Sequence, residues 1–205
     1  MKTKLERSIL GLILAPLMPL AFLLGGWWLA YVLLPEAWIF LGALFGLLLG
    51  LLLDFPLLKK WINDADMLGI PFWAVVFVFY SIGLFGFFMG VPVFNLVLAL
   101  PAGFILGSRL ASQHADEIKL RVVSRHVSEF TTFVLALICV ASAMIALADP
   151  FTEANLQGML ALPFSVTRGM VIGLIAVGGV VLLLLNWLLT FASARFTYKI
   201  LKFQA

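Results

Sequence analysis

The chain has 205 residues; 64% of them are hydrophobic, only 11% are charged, and the mean hydropathy is +1.17. A soluble domain carries about 25% charged residues, so this composition excludes a water-soluble globular protein. The formal net charge of +3 is small, and the positions of the basic residues account for it without a nucleic-acid partner.

The apolar residues fall into long runs that contain no Asp, Glu, Lys, Arg or His. A helix needs about 20 apolar residues to cross about 30 Å of hydrocarbon, where it satisfies its own backbone hydrogen bonds. The runs therefore predict an all-α membrane protein in contact with the lipid bilayer. They cover residues 9–34, 37–53, 71–106, 130–148 and 169–191.

The first run, residues 9–34, is long for one span and too short for two. We interpret it as one tilted helix with a kink at Pro16 or Pro19. The apolar stretch exceeds the roughly 7–15 residues of a secretory signal core and lacks a small-x-small cleavage pattern, which favours a retained helix. Pro35 then marks the turn into the second span, residues 37–53.

The third run, residues 71–106, is too long for one crossing. It breaks at Gly90-Val91-Pro92, because glycine permits a turn and proline favours a new helix start. The result is a bundle of six transmembrane helices in a single domain, residues 1–205. The predicted spans are roughly residues 9–34, 37–53, 71–89, 92–110, 128–148 and 168–194.

Basic residues in short loops mark the cytoplasmic side of a membrane protein. With the amino terminus inside, Arg168 alone among the 13 Lys and Arg residues falls outside. An even number of spans returns the carboxyl terminus to the cytoplasm. We expect a multi-pass protein in the plasma (cytoplasmic) membrane of a prokaryote, with both termini cytoplasmic. The inner basic residues are Lys2, Lys4, Arg7, Lys59, Lys60, Arg109, Lys119, Arg121, Arg125, Arg195, Lys199 and Lys202.

Glycines recur at four-residue spacing, which places them along one face of a helix. Small residues at this interval let helix backbones approach closely in lipid. The pattern predicts packing within the bundle; the alternative is that the face with Gly42, Gly46 and Gly50 docks a partner subunit. The glycines predicted to pack are Gly42, Gly46, Gly50, Gly86, Gly90, Gly103, Gly107, Gly169 and Gly173.

Two asparagines within the predicted spans are candidates for ligand binding. Asn95 lies about one turn below the outer corner, where it either braces the corner or lines an outward-facing pocket. Asn186 lies deeper, where an interhelical hydrogen bond is the alternative to a ligand contact. No ionisable group is expected at the centre of a span, which argues against a relay of protons through buried carboxylates.

The outer loop, residues 149–167, supplies almost all of the outer polar surface. Its middle, residues 156–164, is apolar and is predicted to lie on the bundle mouth as a lid or an interfacial helix. Arg168 ends this loop, where it either forms an ion pair at the headgroups or, with Glu153, recognises an anionic ligand group. The carboxylates considered as its partners are Asp149, Glu153 and Glu36.

The inner loops gather carboxylates and imidazoles, which together can bind a divalent metal or carry out acid–base chemistry. We interpret them as solvated charges, because no motif of a zinc protease, a serine hydrolase or a phosphate loop is present. The sequence predicts no catalytic residue, metal or cofactor. We expect residues 108–129 to contact a partner membrane or cytoplasmic subunit. The inner polar residues are Asp54, Asn63, Asp64, Asp66, His114, Asp116, Glu117, His126 and Glu129.

Three functions remain. The sequence favours a small transport component, a substrate-binding or permease subunit for a neutral or weakly charged solute. The alternative is a structural or accessory subunit of a larger membrane complex. A third hypothesis is a lipid-directed membrane enzyme with chemistry at the cytoplasmic face. Such an enzyme loses its activity on Asp64→Asn or His126→Ala while its fold survives.

Overall fold

The computed structural model describes residues 4–159 and 161–203, and within them every regular element is helical. Two short 3₁₀ segments, Glu36–Trp38 and Pro92–Leu98, precede the second and fourth apolar spans. Lys2, and Leu160 of the predicted apolar lid, lie outside the described residues. The α-helices are α1 Lys4–Leu14, α2 Leu17–Leu33, α3 Ile39–Asn63, α4 Ile70–Phe87, α5 Ala99–Ser112, α6 Glu117–Ala148, α7 Thr152–Met159 and α8 Arg168–Lys202.

Six helical segments of the described chain are long and apolar enough to cross a membrane. The predicted fold class, an all-α membrane protein with six transmembrane helices, is thereby confirmed. The single-domain assignment and the cytoplasmic position of the termini stay predictions. The segments are Glu6–Leu33, Glu36–Asn63, Ile70–Phe87, Pro92–Ser112, Glu117–Ala148 and Arg168–Lys202.

The chain divides into two compact units, Met1–Trp73 and Ala74–Ala205. In the first unit the helix is interrupted between α1 and α2, and Pro16 occupies the N-cap position of α2. Pro19 follows in the first turn of α2, where a missing amide hydrogen breaks no helical bond. The helix is therefore interrupted at Pro16 and not at Pro19.

The contact between α2 and α3 organises the first unit. A Cβ atom on Gly50 would lie 2.7 Å from the carbonyl oxygen of Met18, and one on Gly46 would overlap the carbonyl oxygen of Phe22. One on Gly42 would overlap the Cβ atom of Ala30. The structure therefore places this glycine face against α2, within the same chain, with the two backbones in direct contact.

In the second unit, α5, α6 and α8 pack together, and their ends extend past the predicted spans. Helix α6 begins at Glu117 instead of at residue 128, and α8 continues to Lys202 instead of residue 194. We call the extensions the stalk: residues 117–129 of α6 and 195–202 of α8. The stalk has its own hydrophobic core with the adjoining end of α5, formed by Leu110, Ala111, Ala115, Leu120, Tyr198 and Leu201.

The orientation of the chain can be tested by cysteine labelling, because Cys139 is its one cysteine. In a Cys139→Ala background, we expect a cysteine at exposed Lys59 to react with an impermeant maleimide only after the membrane is opened. A cysteine at exposed Ala154 is expected to react in intact cells. The reverse labelling pattern would contradict the cytoplasmic assignment of the termini.

Candidate functional site

A buried polar cluster joins α6 to α8 within their uncharged runs. The side-chain amide of Asn186 donates hydrogen bonds to Thr131 Oγ1 at 3.3 Å and to Thr132 Oγ1 at 3.2 Å. Thr131 Oγ1 and Thr190 Oγ1 are 3.2 Å apart and share a further hydrogen bond. Asn186 and Thr190 are one helical turn apart, so both reach α6 from one face of α8. The amide of Asn186 is therefore engaged between helices.

Two glycines of α5 pack against the same stretch of α8. A Cβ atom on Gly103 would lie 2.5 Å from the carbonyl oxygen of Thr190 and 2.6 Å from the Cβ atom of Ser193. One on Gly107 would overlap the carbonyl oxygen of Ala194. The backbones of α5 and α8 therefore touch directly beside the polar cluster, and this contact leaves no room for a solute between them.

Two serines of α6 extend the polar face toward the stalk, and sequence reasoning did not single them out. Ser124 and Ser128 are fully buried, and within the described chain neither hydroxyl has a hydrogen-bond partner. Ser124, Ser128 and Thr131 are spaced by four and then three residues, which places them on one face of α6. This spacing is the sequence signal that could have identified the two serines. Their small side chains allow neighbouring helices to approach closely.

Asn95 braces the corner between α4 and α5. Its side-chain amide donates to the carbonyl oxygen of Ser81 at 2.8 Å, which ties the 3₁₀ segment to α4. The rings of Phe88 and Phe94 stack across the corner with centroids 3.8 Å apart, and Gly90 turns the chain with a φ of +83°. Asn95 is 3% exposed, and its Oδ1 atom is buried with no hydrogen-bond partner in the described chain.

Arg168 links three elements of the second unit, α6, α7 and α8. Its Nη1 atom lies 3.1 Å from Glu153 Oε1 on α7, and its Nη2 atom donates to the carbonyl oxygen of Leu147 at the end of α6. Thr152 also holds α7 against α6, by donating to the carbonyl oxygen of Ala146 at 2.7 Å. Of the carboxylates considered as partners for Arg168, Glu153 is the one it pairs with.

The ion pair has a consequence for the pH dependence of stability. A hydrogen bond from its own backbone amide, together with Arg168, holds the pKa of Glu153 below its ordinary value of 4.5. A carboxylate whose pKa is lowered by folding stabilises the fold fully above its ordinary pKa. This contribution is lost as the pH falls through the lower folded value.

We therefore expect the melting temperature of Arg168→Gln to depend less on pH in the acid range than that of the wild type. The melting temperature of the wild type should fall more steeply than that of the variant as the pH drops from about 6 to about 3, because only the wild type loses the pair. Lys59→Gln, which removes an exposed cation from α3, serves as the charge control. Parallel curves for the wild type and Arg168→Gln would contradict a stabilising ion pair.

The inner polar residues do not assemble into a metal site. Within residues 4–159 and 161–203, no group of three His, Cys, Asp or Glu side chains is arranged to hold a metal ion. Asp116 instead caps α6 by accepting a hydrogen bond from the Lys119 amide at 2.8 Å. Glu129 pairs with Arg125 at 2.8 Å.

Asp54 lies elsewhere than the sequence suggested. The sequence predicts an inner loop at this position, whereas α3 continues through Asp54 to Asn63. Its side chain is buried, and its Oδ1 atom has no hydrogen-bond partner in the described part of the chain. The helix continues because Pro56 removes only one backbone donor, and tertiary packing of α3 outweighs that loss.

Some predicted packing glycines contact no neighbouring helix within the described residues. An added Cβ atom on Gly86 or Gly173 would meet nothing within 4 Å among the described residues, and one on Gly169 would meet only Thr167.

A comparison of the chain with protein families, with curated proteins and with solved structures finds no match.

Proposed function

We propose that the protein is an accessory subunit of a larger membrane assembly and that its stalk binds the partner. The observation that carries this proposal is the stalk, a paired extension of α6 and α8 with a hydrophobic core of its own. Helix α6 begins at Glu117, whereas its uncharged run begins at Phe130, so the extension is about 20 Å long at 1.5 Å per residue.

The stalk is rigidly packed. Leu120 and Tyr198 are buried in its core, and the Tyr198 hydroxyl donates to the carbonyl oxygen of Ala115. A helix end that only carried solvated loop charges would need no such core. A fixed platform of this kind is suited to holding a second protein at the membrane surface.

Exposed apolar residues on the stalk support partner binding. Ile118 is 75% exposed and Val122 is 48% exposed, and the two lie one helical turn apart on α6. Both precede the uncharged run of α6, so hydrocarbon does not explain their exposure. Burial of these side chains against a partner would be favourable.

The intramembrane contacts favour an accessory subunit over a solute carrier. Asn186, the deepest ligand candidate, already bonds to Thr131 and Thr132, and Arg168 already pairs with Glu153. A solute would have to displace these hydrogen bonds to use either residue. An enzyme acting on lipid would instead depend on Asp64 or His126.

A transport component remains the second candidate, and Asn95 is the observation that favours it. The buried Oδ1 atom of this residue lacks a partner among the described residues, and a buried amide oxygen without a hydrogen bond is costly. A solute with a hydrogen-bond donor would satisfy it. The stalk fits this function as well, because a transport component must couple to an energising subunit.

Photo-crosslinking tests the accessory role in the native membrane, taken here to be the plasma membrane of a prokaryote. A photoreactive amino acid at position 118 or 122 is expected to give an adduct with one protein of defined mass. The same amino acid at exposed positions 137 and 140, within the uncharged run of α6, should give none.

The Ile118→Glu, Val122→Glu double variant should lose the assembly while remaining in the membrane. The proposal fails if the stalk positions give no protein adduct or the double variant keeps its full assembly size.

A further inference from the structure

A basic groove lies between the beginning of α6 and the end of α8. Its walls carry Arg121, Arg195 and Lys199, against a single carboxylate, Glu117. Across residues 4–159 and 161–203, none of these three cations forms an ion pair. The groove therefore concentrates positive charge that the described residues do not neutralise by ion pairing.

Arg195 is held in place at the edge of the apolar run. Its guanidinium carbon lies 5.5 Å from the centre of the Phe191 ring, and that ring stacks on Trp187 with centroids 5.1 Å apart. Aromatic residues of this kind collect at the boundary between hydrocarbon and water. Arg195 is half-buried and directly follows this boundary.

The groove begins at the level expected for lipid headgroups. Arg195 lies four residues, or about 6 Å, beyond the end of the apolar run at Phe191, a distance comparable to the thickness of the headgroup layer, and Lys199 lies one turn further along α8. The floor of the groove is apolar, because Leu120 and Tyr198 line it and are buried. Cations that directly follow the uncharged run of α8 fit a molecule with both an anionic and an apolar part.

We propose that this groove binds the phosphate of an anionic phospholipid, with Arg121, Arg195 and Lys199 around the headgroup. Basic pockets between transmembrane helices are recognition sites for such headgroups. A free phosphate ion shares the anionic charge, and competition with inorganic phosphate distinguishes the two ligands. The groove and the partner surface proposed at Ile118 and Val122 both lie on the stalk but use different side chains.

Native mass spectrometry of the delipidated, detergent-solubilised full chain tests this site. Phosphatidylglycerol is expected to bind about tenfold more tightly than phosphatidylcholine with the same acyl chains, because each nearby cation attracts the anionic headgroup. The Arg121→Gln, Arg195→Gln, Lys199→Gln variant should lose this preference. The matched control is Lys59→Gln, Lys60→Gln, Arg125→Gln, which removes the same charge outside the groove and should keep the preference.

Three results would overturn the proposal. The first is an equal loss of preference in the control variant, which would indicate diffuse attraction to net charge. The second is displacement of phosphatidylglycerol by millimolar inorganic phosphate, which would indicate a soluble anion site. The third is unchanged binding in Lys199→Gln. This single variant changes one exposed side chain and is expected to weaken phosphatidylglycerol binding about threefold even if the triple variant does not fold.

Discussion

Gly103→Val is expected to destabilise the second unit by about 3 kcal/mol, because the new side chain has no space between α5 and α8. Its Cβ atom alone would lie 2.5 Å from the Thr190 carbonyl oxygen and 2.8 Å from the Ala194 amide nitrogen. Both are backbone atoms of α8, so relief requires moving a whole helix. The measurement is the free energy of unfolding in mixed micelles, followed by circular dichroism.

Gly173→Val is the matched control for this prediction. It places the same residue in α8, at a glycine whose added Cβ atom would meet nothing within 4 Å in the described chain. The change in helix propensity, which slightly favours valine over glycine, is similar for both substitutions, so the difference between them isolates the packing contact. Equal destabilisation by the two variants would mean that α5 and α8 do not pack as described.

Asn186→Leu is expected to cost about 1–2 kcal/mol, because it removes the hydrogen bonds between α6 and α8 while keeping the same number of side-chain heavy atoms. A double-mutant cycle with Thr131→Val should show that the two substitutions are coupled. Asn155→Leu changes an exposed asparagine on α7 and should alter stability by less than about 0.5 kcal/mol. If Asn186→Leu left stability unchanged, Asn186 would be available to a ligand and the transport hypothesis would gain.

The six spans were predictable because uncharged runs of sufficient length leave few alternatives. The ends of the helices were only partly predictable: the mixed charged and apolar residues 113–129 indicate a continuation of the fourth or fifth helix, but not which of the two. Residues 117–129 lack an apolar run, so hydropathy alone stops at the hydrocarbon boundary. The Asp116 cap and the buried spacing of Leu120, Ser124 and Ser128 carry the helix further. These two features favour a longer α6 only when α8 is known to pack alongside it.

The candidate sites show the same limit. Asn95 and Asn186 were identifiable as polar residues within apolar spans, but their partners were not. The hydrogen bond between Thr131 and Thr190 joins residues 59 positions apart, and sequence spacing does not report such a pairing. The basic groove was missed because Arg121 and Arg195 lie on different helices, and their proximity depends on the register of α6 against α8.

The mass of the particle that contains the chain in its native membrane tests the central proposal most directly. The tagged chain would be extracted with a membrane-solubilising polymer that retains the surrounding lipid, and the particle would be weighed by native mass spectrometry. We predict one defined particle in which the chain and a second protein occur in fixed stoichiometry, and the Ile118→Glu, Val122→Glu variant should dissociate it. A chain that occurs alone, and that gains thermal stability from a soluble ligand, would contradict an accessory subunit and support a transport component.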